Sequence, residues 1–401
     1  MRYIIAGGSI AAYTAYKEIK RLDKNADVKV ISKESVQPYG KMLLPYLISS
    51  DEIKQNMFFE LDNDDILLND AVESVYAKNK IIKTESSKEF AYDKLLIATG
   101  ADAKIPEYSG SYGKDSVVGV RYLKDVESIE KRLSTCSSRH IILVGAGLVT
   151  LETGWALVKR GFSVNYIVRS SRILSKILDE ESSYTIENYI EKNYPVKFIK
   201  GDDVEFIDEK DSGVYVKLIS GGSLEGCAVI VGKGVRPNVD CLQNTNIESE
   251  KGIEVDNHLQ TGVQDIYAVG DVAAFDDVDD GQKKIHAIWP VAVEQAKAAA
   301  KNMVGVETEY MPEFSRNLLP VFGINIFTGG ISNKDNFDIY KRTNGLEYRK
   351  IILKDGKLKG FILIGDIENF GAYTYLAKRQ IDVSKNIDKL LYGVFDINHL
   401  H

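Results

Sequence analysis

The sequence predicts an α/β fold built from two similar strand–helix units, followed by a separate α+β domain. Two segments of the 401-residue chain share one pattern, in which a short apolar strand leads into a glycine-rich turn and then a helix. From about residue 312 the pattern changes, and short strands follow one another without intervening helices. A chain of this length exceeds a single compact core, so several domains are expected.

The composition is that of an ordinary globular protein, with 44% hydrophobic and 27% charged residues. A net charge of −7 leaves no basic surplus and argues against nucleic acid as the main partner. No apolar run approaches the roughly 20 residues that span a bilayer. Met1 and Arg2 lead directly into an apolar strand, so we expect no signal peptide. Cys136, Cys227 and Cys241 lie far apart, which predicts neither a disulfide framework nor a metal site and favours a reducing cytoplasm.

The first unit runs from an apolar strand at residues 3–6 through a small-residue turn to a helix at 13–21 and a strand at 28–31. Small residues in such a turn let the backbone approach a pyrophosphate, and the helix N-terminus offers unpaired N–H groups and partial positive charge. The three fingerprint positions hold Gly7, Ser9 and Ala12, so one of three glycines is present.

The second unit repeats this arrangement with a strand at 141–144, a helix that runs to about residue 159 and a strand at 164–168. Gly145 and Gly147 fill the first two fingerprint positions, and Thr150 fills the third, where a small residue lets helix and strand pack closely. Strand, glycine turn, helix and strand form the entry half of a Rossmann-like dinucleotide-binding sheet. Two such units imply two nucleotide sites.

Further segments extend both patterns. A strand at 92–97 ends in a small-residue turn, and a strand at 266–269 ends with Gly270 and Asp271. A helix begins at Trp289 with Pro290 in its first turn. In the tail we predict strands at 318–322, 337–340, 348–353 and 358–364, a hairpin turn at 354–357, and helices at 372–379 and near the end.

Taken in order, these motifs resemble the FAD-dependent pyridine nucleotide-disulfide oxidoreductase superfamily over essentially the whole chain. The nearest likeness is the branch that contains NADH:rubredoxin reductases, ferredoxin reductases and the flavin domain of nitrite reductases. The resemblance implies an FAD-binding domain at 1–110 and 237–308, an NAD(P)-binding domain inserted at 111–236, and a C-terminal α+β domain at 309–401.

The resemblance also implies where the cofactors bind. The turn of the first unit would hold FAD, Glu34 would lie near the adenosine ribose and Asp271 near the ribityl phosphate. The helix that starts at Trp289 and Pro290 would direct its N-terminus at the pyrimidine side of the flavin, where reduction leaves negative charge. The implied cofactor-binding residues are Gly7, Ser9, Ile10, Ala11, Ala12, Glu34, Lys41, Val72, Thr99, Gly100, Arg121, Gly145, Gly147, Leu148, Val149, Glu152, Arg169, Gly234, Gly270, Asp271, Trp289 and Pro290.

Residues 38–47, PYGKMLLPYL, contain no cysteine, whereas disulfide-reducing relatives carry a redox cysteine in this part of the first domain. Since a mixed disulfide requires a thiol, disulfide reduction is not the expected activity. Lys41 matches a basic position of the rubredoxin-reductase branch. The resemblance implies that Lys41 and Glu152 are the catalytic pair, which positions the nicotinamide and tunes the flavin. The other reading is a solvated lysine and an ordinary helix glutamate.

Arg169 follows the second strand of the NAD(P) unit, where an acidic residue would accept hydrogen bonds from the ribose of NAD. An arginine cannot accept, but with Arg172 it can meet a 2′-phosphate, which favours NADPH. Arg169 stacked on adenine or facing solvent is compatible with NADH. Thr150 together with Arg169 could also mean a weakened nicotinamide site.

The expected function is that of an FAD-dependent NAD(P)H oxidoreductase that passes electrons to a one-electron carrier such as rubredoxin, ferredoxin or an iron–sulfur partner protein. Two alternatives stay open. One is a flavin-bearing electron-relay subunit or redox-sensing protein with a weak nicotinamide site, and the other is a hydrogen-peroxide-forming oxidase. The sequence leaves the acceptor and the oligomeric state open, a homodimer included.

Overall fold

The computed structural model describes residues 1–113, 115–210, 213–278, 281–331 and 336–395. The chain divides into two compact units. Unit 1 comprises Met1–Met42, Lys54–Asp102 and Val235–Glu313, and unit 2 comprises Leu43–Ile53, Ala103–Gly234 and Phe314–His401. The short segment Leu43–Ile53 therefore belongs to unit 2, although its neighbours in sequence on both sides belong to unit 1.

The helices are numbered in chain order. Within the described residues they are α1 (Ile10–Leu22), α2 (Leu44–Leu47), α3 (Leu123–Thr135), α4 (Leu148–Lys159), α5 (Glu180–Asn193), α6 (Trp289–Met303), α7 (Phe370–Arg379) and α8 (Ile387–Leu391). None of the helices in this described part of the chain has both the length and the apolar character needed to cross a membrane.

The strands are numbered in the same way. They are β1 (Arg2–Ala6), β2 (Asp27–Ile31), β3 (Ile66–Leu67), β4 (Val72–Tyr76), β5 (Ile81–Thr84), β6 (Glu89–Ala91), β7 (Lys94–Ile97), β8 (Ala101–Ala103), β9 (Val117–Val118), β10 (His140–Val144), β11 (Ser163–Val168), β12 (Val196–Lys200), β13 (Val204–Lys210), β14 (Gly213–Leu218), β15 (Ser223–Gly226), β16 (Val229–Val231), β17 (Val235–Pro237), β18 (Ile253–Glu254), β19 (Ile266–Ala268), β20 (Ala273–Asp276), β21 (Lys283–Lys284), β22 (Arg316–Val321), β23 (Ile324–Gly330), β24 (Asp338–Asn344), β25 (Glu347–Lys354) and β26 (Lys357–Ile364).

Unit 1 is built on a parallel sheet of order β19-β7-β1-β2-β3. Most residues of these strands are apolar and buried because both faces of the sheet are covered, as expected of a parallel sheet; the charged exceptions are Arg2, Asp27, Lys29 and Lys94. Small side chains let α1 and α6 approach each other: a Cβ placed on Gly270 would lie 3.6 Å from the Cβ atoms of both Ala11 and Ala292. The carboxyl ends of these strands form one edge of the sheet.

Unit 2 contains a second parallel sheet, of order β12-β11-β10-β16-β9, and beside it the antiparallel sheet β13-β14-β15. The tail of the chain adds the antiparallel sheet β22-β23-β26-β25-β24. The hairpin predicted at 354–357 is confirmed, since Lys354 pairs with Lys357. The predicted α/β class with two dinucleotide-type sheets and a C-terminal α+β domain is confirmed.

One strand of the tail, β23, was not predicted from the sequence. It ends in two glycines, which ordinarily weaken a strand. Here the glycines make room for aromatic rings: a Cβ on Gly329 would lie 2.5 Å from the Phe361 ring and 2.6 Å from the Phe314 ring. Packing between distant residues therefore overrides the local sequence signal.

Asp179, the N-cap of α5, connects this helix to the C-terminal sheet of unit 2. Its Oδ2 lies 2.8 Å from the Tyr348 hydroxyl and 2.8 Å from Lys350 Nζ, and Ser182 N donates to Oδ1 at 3.0 Å. The Lys350 side chain is only 2% exposed. Burial alone would raise the pKa of Asp179, but the hydrogen bonds from Lys350, Ser182 and Tyr348 outweigh it and hold that pKa well below its usual value.

Cys136 and Cys227 form a disulfide, contrary to the expectation from their spacing. Cys136 ends α3, which leads into β10, and Cys227 precedes β16, the neighbour of β10 in the sheet. The order of strands in a parallel sheet brings the two sulfurs together, and this order cannot be read from the positions of the cysteines. Cys241 remains a free, buried thiol. Unpaired cysteines therefore no longer support the expectation of a reducing cytoplasm.

We predict that Lys350→Ala destabilises unit 2 by about 3–5 kcal/mol, because it leaves the largely buried Asp179 without its close, buried cation and with only the exposed Lys341 at 3.8 Å. Lys341→Ala is the matched control: Lys341 Nζ lies 3.8 Å from the same Asp179 carboxylate and 3.1 Å from Glu181, but its side chain is 41% exposed. An exposed pair of this kind contributes about 0–1 kcal/mol. Urea unfolding followed by circular dichroism measures both, and equal effects would contradict the central role of Asp179.

The same ion pair predicts the direction of acid destabilisation. Because the pKa of Asp179 is depressed in the folded state, its contribution to stability is complete above the unfolded value of about 3.9 and is lost as the pH falls through the folded value. Wild type should therefore lose more stability than Lys350→Ala between about pH 4 and pH 2.

The disulfide joins cysteines that are 91 residues apart in sequence. In the chain-entropy description, opening a loop of this size costs about 4–5 kcal/mol. Replacing both Cys136 and Cys227 by serine should lower the urea midpoint of unit 2 and remove the response to dithiothreitol. The Cys241→Ser variant should keep that response. Alkylation of the denatured, unreduced wild type should modify one cysteine per chain, and modification of all three would refute the bond.

Candidate functional site

The candidate residues divide between the two units. Unit 1 holds Gly7, Ser9, Ile10, Ala11, Ala12, Glu34, Lys41, Val72, Thr99, Gly100, Gly270, Asp271, Trp289 and Pro290. Unit 2 holds Arg121, Gly145, Gly147, Leu148, Val149, Glu152, Arg169 and Gly234. Most of them follow the carboxyl ends of parallel strands, the edge at which ligands bind in open α/β sheets.

The turn after β1 lies directly against its neighbouring strands. Gly7 has a φ of +131°, and a Cβ at this position would lie 2.1 Å from the carbonyl oxygen of Ala98. A Cβ on Gly8 would lie 2.1 Å from Ser32 Oγ. Both positions therefore require glycine, for the close backbone approach that a dinucleotide turn needs.

The N-terminus of α1 is open for an anion. Ser9 is the N-cap, with an extended φ of −129°, and its side chain makes no capping hydrogen bond. The first turn of this 13-residue helix contains no acidic residue that would compete with an anion. Together with the glycine turn, these features fit a pyrophosphate bound at the start of α1.

Glu34 and Lys41 lie together in unit 1. Lys41 Nζ is 2.7 Å from Glu34 Oε1, and the Tyr39 hydroxyl donates to Glu34 Oε2 at 2.6 Å. The Glu34 carboxylate thus has two partners that sequence reasoning did not predict. Its role at the ribose, like the role of Lys41 beside the flavin, stays a prediction.

Thr99 and Gly100 are tied to Asn238, where the chain returns to unit 1. The Thr99 hydroxyl donates to the Asn238 carbonyl oxygen at 2.7 Å, Asn238 N donates to the Gly100 carbonyl oxygen at 2.9 Å, and the Asn238 amide donates to Asp102 Oδ1 at 3.0 Å. Thr99 therefore has a structural role in addition to any contact with a cofactor.

Gln295 is a residue of this site that the sequence analysis missed. Its side-chain oxygen accepts a hydrogen bond from Gly270 N at 2.8 Å, and both groups are buried. This bond fixes Gly270, and with it the neighbouring Asp271, against α6. The sequence does contain an indication of this role, because Gln295 lies on the alanine face of α6, between Ala292 and Ala296, where a polar residue is unusual.

The start of α6 carries an aromatic cluster. Trp289 lies 5.8 Å from Phe59 between ring centroids, and Phe59 lies 5.0 Å from Tyr13 of α1. Pro290 stands in the first turn of α6, as predicted from the sequence. The cluster fixes the N-terminus of α6 relative to α1.

The turn after β10 in unit 2 is also packed closely against a neighbouring strand, but its glycines stand at different positions. Gly145 has a φ of +100°, and a Cβ there would lie 2.5 Å from the carbonyl oxygen of Gly232. At the third fingerprint position Thr150 replaces glycine, and a Cβ on Gly232 would lie 2.2 Å from Thr150 Cγ2. Close packing of α4 is thus permitted by Gly232, which directly follows β16, and not by a glycine within the helix.

The N-terminus of α4 is also open. A Cβ on its N-cap Gly147 would meet no atom within 4 Å, and Val149 is 43% exposed. Gly234 follows β16 with a φ of +96° and similarly open space. These residues border the carboxyl edge of the sheet, and the space beside them fits a second dinucleotide.

Arg169 directly follows β11 at this edge and is exposed. Its guanidinium makes no hydrogen bond or ion pair with the described residues. Arg172 Nε is buried and has no hydrogen-bond partner there, while the Ser170 hydroxyl donates to the Arg172 carbonyl oxygen at 2.7 Å. Two guanidinium groups therefore retain donors that an anion could use.

Glu152 has its own partner within unit 2. The Tyr46 hydroxyl of α2 donates to Glu152 Oε1 at 3.0 Å. Burial raises the pKa of Glu152 to about 7, and the bond from Tyr46 opposes that rise. No spacing rule connects Tyr46 to Glu152, so sequence reasoning missed it. The predicted pair of Lys41 and Glu152 stays a prediction.

The chain matches two family descriptions. "Pyridine nucleotide-disulphide oxidoreductase" matches residues 1–296, and "Rubredoxin NAD+ reductase C-terminal domain" matches residues 316–381. The chain is 30% identical to an NADH oxidase of Methanocaldococcus jannaschii, covering 91% of this chain and 88% of that protein. It is 25% identical to an NADH-rubredoxin oxidoreductase of Clostridium acetobutylicum, covering 97% of this chain and 96% of that protein.

A solved structure shows the same fold. An engineered water-forming NADPH oxidase bound to NADPH, a mutant of the NADH oxidase from Lactobacillus brevis, aligns with a TM-score of 0.87 at 20% identity, over 96% of this chain and 92% of that chain. Family match, relatives and fold agree with the two nucleotide-type edges described above. The chain belongs to the FAD-dependent pyridine nucleotide-disulphide oxidoreductase family and is an NAD(P)H oxidoreductase.

Proposed function

We propose that the protein passes electrons from NADPH, through FAD, to a small one-electron carrier of the rubredoxin or iron–sulfur type. Unit 1 would hold FAD and unit 2 the nicotinamide dinucleotide. The relative named as an NADH-rubredoxin oxidoreductase, which matches this chain over almost its full length, supports a carrier of that kind.

The residues of unit 1 would each have a separate task. Gly7 and the N–H groups at the start of α1 would bind the pyrophosphate, and Gln295 would hold Gly270 so that Asp271 meets the ribityl phosphate. The N-terminus of α6, fixed by Trp289, would favour the negative charge of the reduced ring. Bound FAD supplies the conversion between a two-electron hydride donor and a one-electron acceptor.

The placement of the cysteines carries the proposal that no sulfur relay takes part. The disulfide of Cys136 and Cys227 precedes β10 and β16, at the amino edge of the sheet. The candidate nucleotide residues follow those strands at the opposite edge, roughly 15 Å away for a strand of this length. Cys241 is buried, and burial raises its pKa to about 11, so its reactive thiolate is scarce.

The preference for NADPH rests on Arg169 and Arg172. Both have donors without partners among the described residues, at the strand end where the 2′-position of the adenosine ribose binds in such sheets. In the engineered NADPH oxidase, two consecutive substitutions introduce arginine and serine. Arg169 and Ser170 are likewise consecutive, which supports the same preference here.

Oxidase activity is the second candidate. The relative at 30% identity is named an NADH oxidase, and the cysteine placement is equally compatible with dioxygen as the acceptor. The relay-subunit alternative would require a nicotinamide site too weak to reduce the flavin.

The choice among these functions is tested by anaerobic titration of the purified, FAD-loaded protein with NADPH and with NADH. We expect the flavin colour to bleach with either donor, and reoxidation to be faster with an added rubredoxin or ferredoxin than with dioxygen alone. Rapid oxygen uptake that no carrier accelerates would favour the oxidase. A flavin that keeps its colour with both donors would favour the relay subunit.

Arg169→Asp should reverse the coenzyme preference. It removes a charge-assisted hydrogen bond to the 2′-phosphate, worth about 1.5–3 kcal/mol, so kcat/KM for NADPH should fall by roughly 10- to 150-fold. The value for NADH should rise or stay constant. Lys192→Asp, at the C-terminal end of α5, makes the same change of charge away from this edge and should leave the ratio as in wild type. Parallel losses with both coenzymes would contradict the role of Arg169.

A further inference from the structure

The segment that contains Tyr46 is held against α4 at two points. At one end the Tyr46 hydroxyl donates to Glu152 Oε1 at 3.0 Å. At the other end Arg160, the C-cap of α4, donates to the Ile48 carbonyl oxygen at 2.9 Å and also pairs with Glu130 of α3. Leu44 and Leu47 are buried between these polar contacts. The segment therefore holds Tyr46 at a defined position beside Glu152.

The surroundings of Glu152 are poor in charge. The elements packed against α4 are α2, β10, β11 and β22. Their titratable groups have other partners: His140 bonds to Ser163, the Tyr166 hydroxyl donates to the Thr150 carbonyl oxygen, and Arg316 donates to the Phe314 carbonyl oxygen. On α4 itself, Lys159 lies over the Trp155 ring and Arg160 pairs with Glu130. Only Tyr46 bonds to the Glu152 carboxyl group among the described residues.

The Tyr46 hydroxyl is a permanent donor. Burial, and then the nearby Glu152 carboxylate, raise the pKa of Tyr46 far above neutrality. The hydroxyl therefore stays protonated while Glu152 titrates near neutral pH. Since it donates to Oε1, it leaves Oε2 as the place for the carboxyl proton. Oε2 has no hydrogen-bond partner among the described residues.

We propose that Tyr46 is a positioning residue for nicotinamide binding: its hydroxyl fixes Glu152 so that Oε2 faces the ligand and hydrogen-bonds the carboxamide group of the nicotinamide. A neutral carboxyl donates through Oε2 to the carboxamide oxygen, and a carboxylate accepts there from the carboxamide NH2. The inference rests on the proposed function, because it takes the ligand at α4 to be a nicotinamide dinucleotide. It adds Tyr46, as a positioning residue, to that site.

Tyr46→Phe tests this role in the FAD-loaded protein. Loss of one hydrogen bond should weaken the binding of NADPH about five-fold, measured by nucleotide fluorescence. Because the bond from Tyr46 lowers the pKa of Glu152, its loss should shift the midpoint of Glu152 protonation to higher pH. Carbon-13 NMR of glutamate-labelled protein reports that midpoint without any nucleotide. Tyr184→Phe removes the same hydroxyl from an exposed side chain of α5 and should change neither quantity.

Glu152→Gln provides a test that does not depend on the folding of the Tyr46 variant. It removes the titrating group. Because the charge-assisted bond of the carboxylate is the stronger one, the affinity of wild type for NADH should rise as Glu152 loses its proton, and the variant should lack that rise. NADH is the probe because it lacks the 2′-phosphate of NADPH, which itself titrates at about pH 6. A wild-type pH dependence in Glu152→Gln, or an unchanged midpoint and affinity in Tyr46→Phe, would overturn the proposal. Should wild type itself not bind NAD(P)H, the proposed function would fail, while the NMR midpoint would still report on the contact of Tyr46 with Glu152.

Discussion

The structure depends on backbone contact at two strand-to-helix turns. At Gly7 the chain lies against the carbonyl oxygen of Ala98, and at Gly145 it lies against that of Gly232, so that no side chain can be present at either position. These contacts bring the first turn of each following helix to the carboxyl edge of a parallel sheet. Only there can helix N–H groups and strand ends meet one ligand. Both nucleotide-type edges, with the residues around them, follow from this constraint.

Local patterns in the sequence were sufficient to find both strand–turn–helix units, because each is defined by residues a few positions apart. The same patterns located Gly145, Gly147 and the helix that starts at Trp289. What they could not supply were pairings set by strand order and packing. The bond between Cys136 and Cys227 exists because β16 lies beside β10. Thr150 is tolerated in a glycine position because Gly232, distant in sequence, leaves room for its methyl group.

In the candidate site, too, local features could be predicted from the sequence and long-range contacts could not. Its glycines could be predicted, whereas the partners of its charged residues could not. Lys41 was assigned from the sequence to Glu152, yet within its own unit it pairs with Glu34, and Glu152 accepts a hydrogen bond from Tyr46. Lys41 and Tyr46 are close in sequence but belong to different compact units. The sequence between them has no periodic pattern that marks where the chain passes from one unit to the other. The contacts of this segment therefore had to be read from the structure.

The Asn238 contacts have a consequence for how such a protein can be assembled. Asn238 binds Thr99, Gly100 and Asp102, so the chain leaves unit 1 and re-enters it at adjacent points. Unit 1 thus holds together the two ends of the inserted segment 103–234. The length of this segment therefore adds little conformational-entropy cost to the folding of unit 1. A segment of different sequence could therefore be exchanged at these junctions during evolution, while the parallel sheet of unit 1 keeps its own strand pairings.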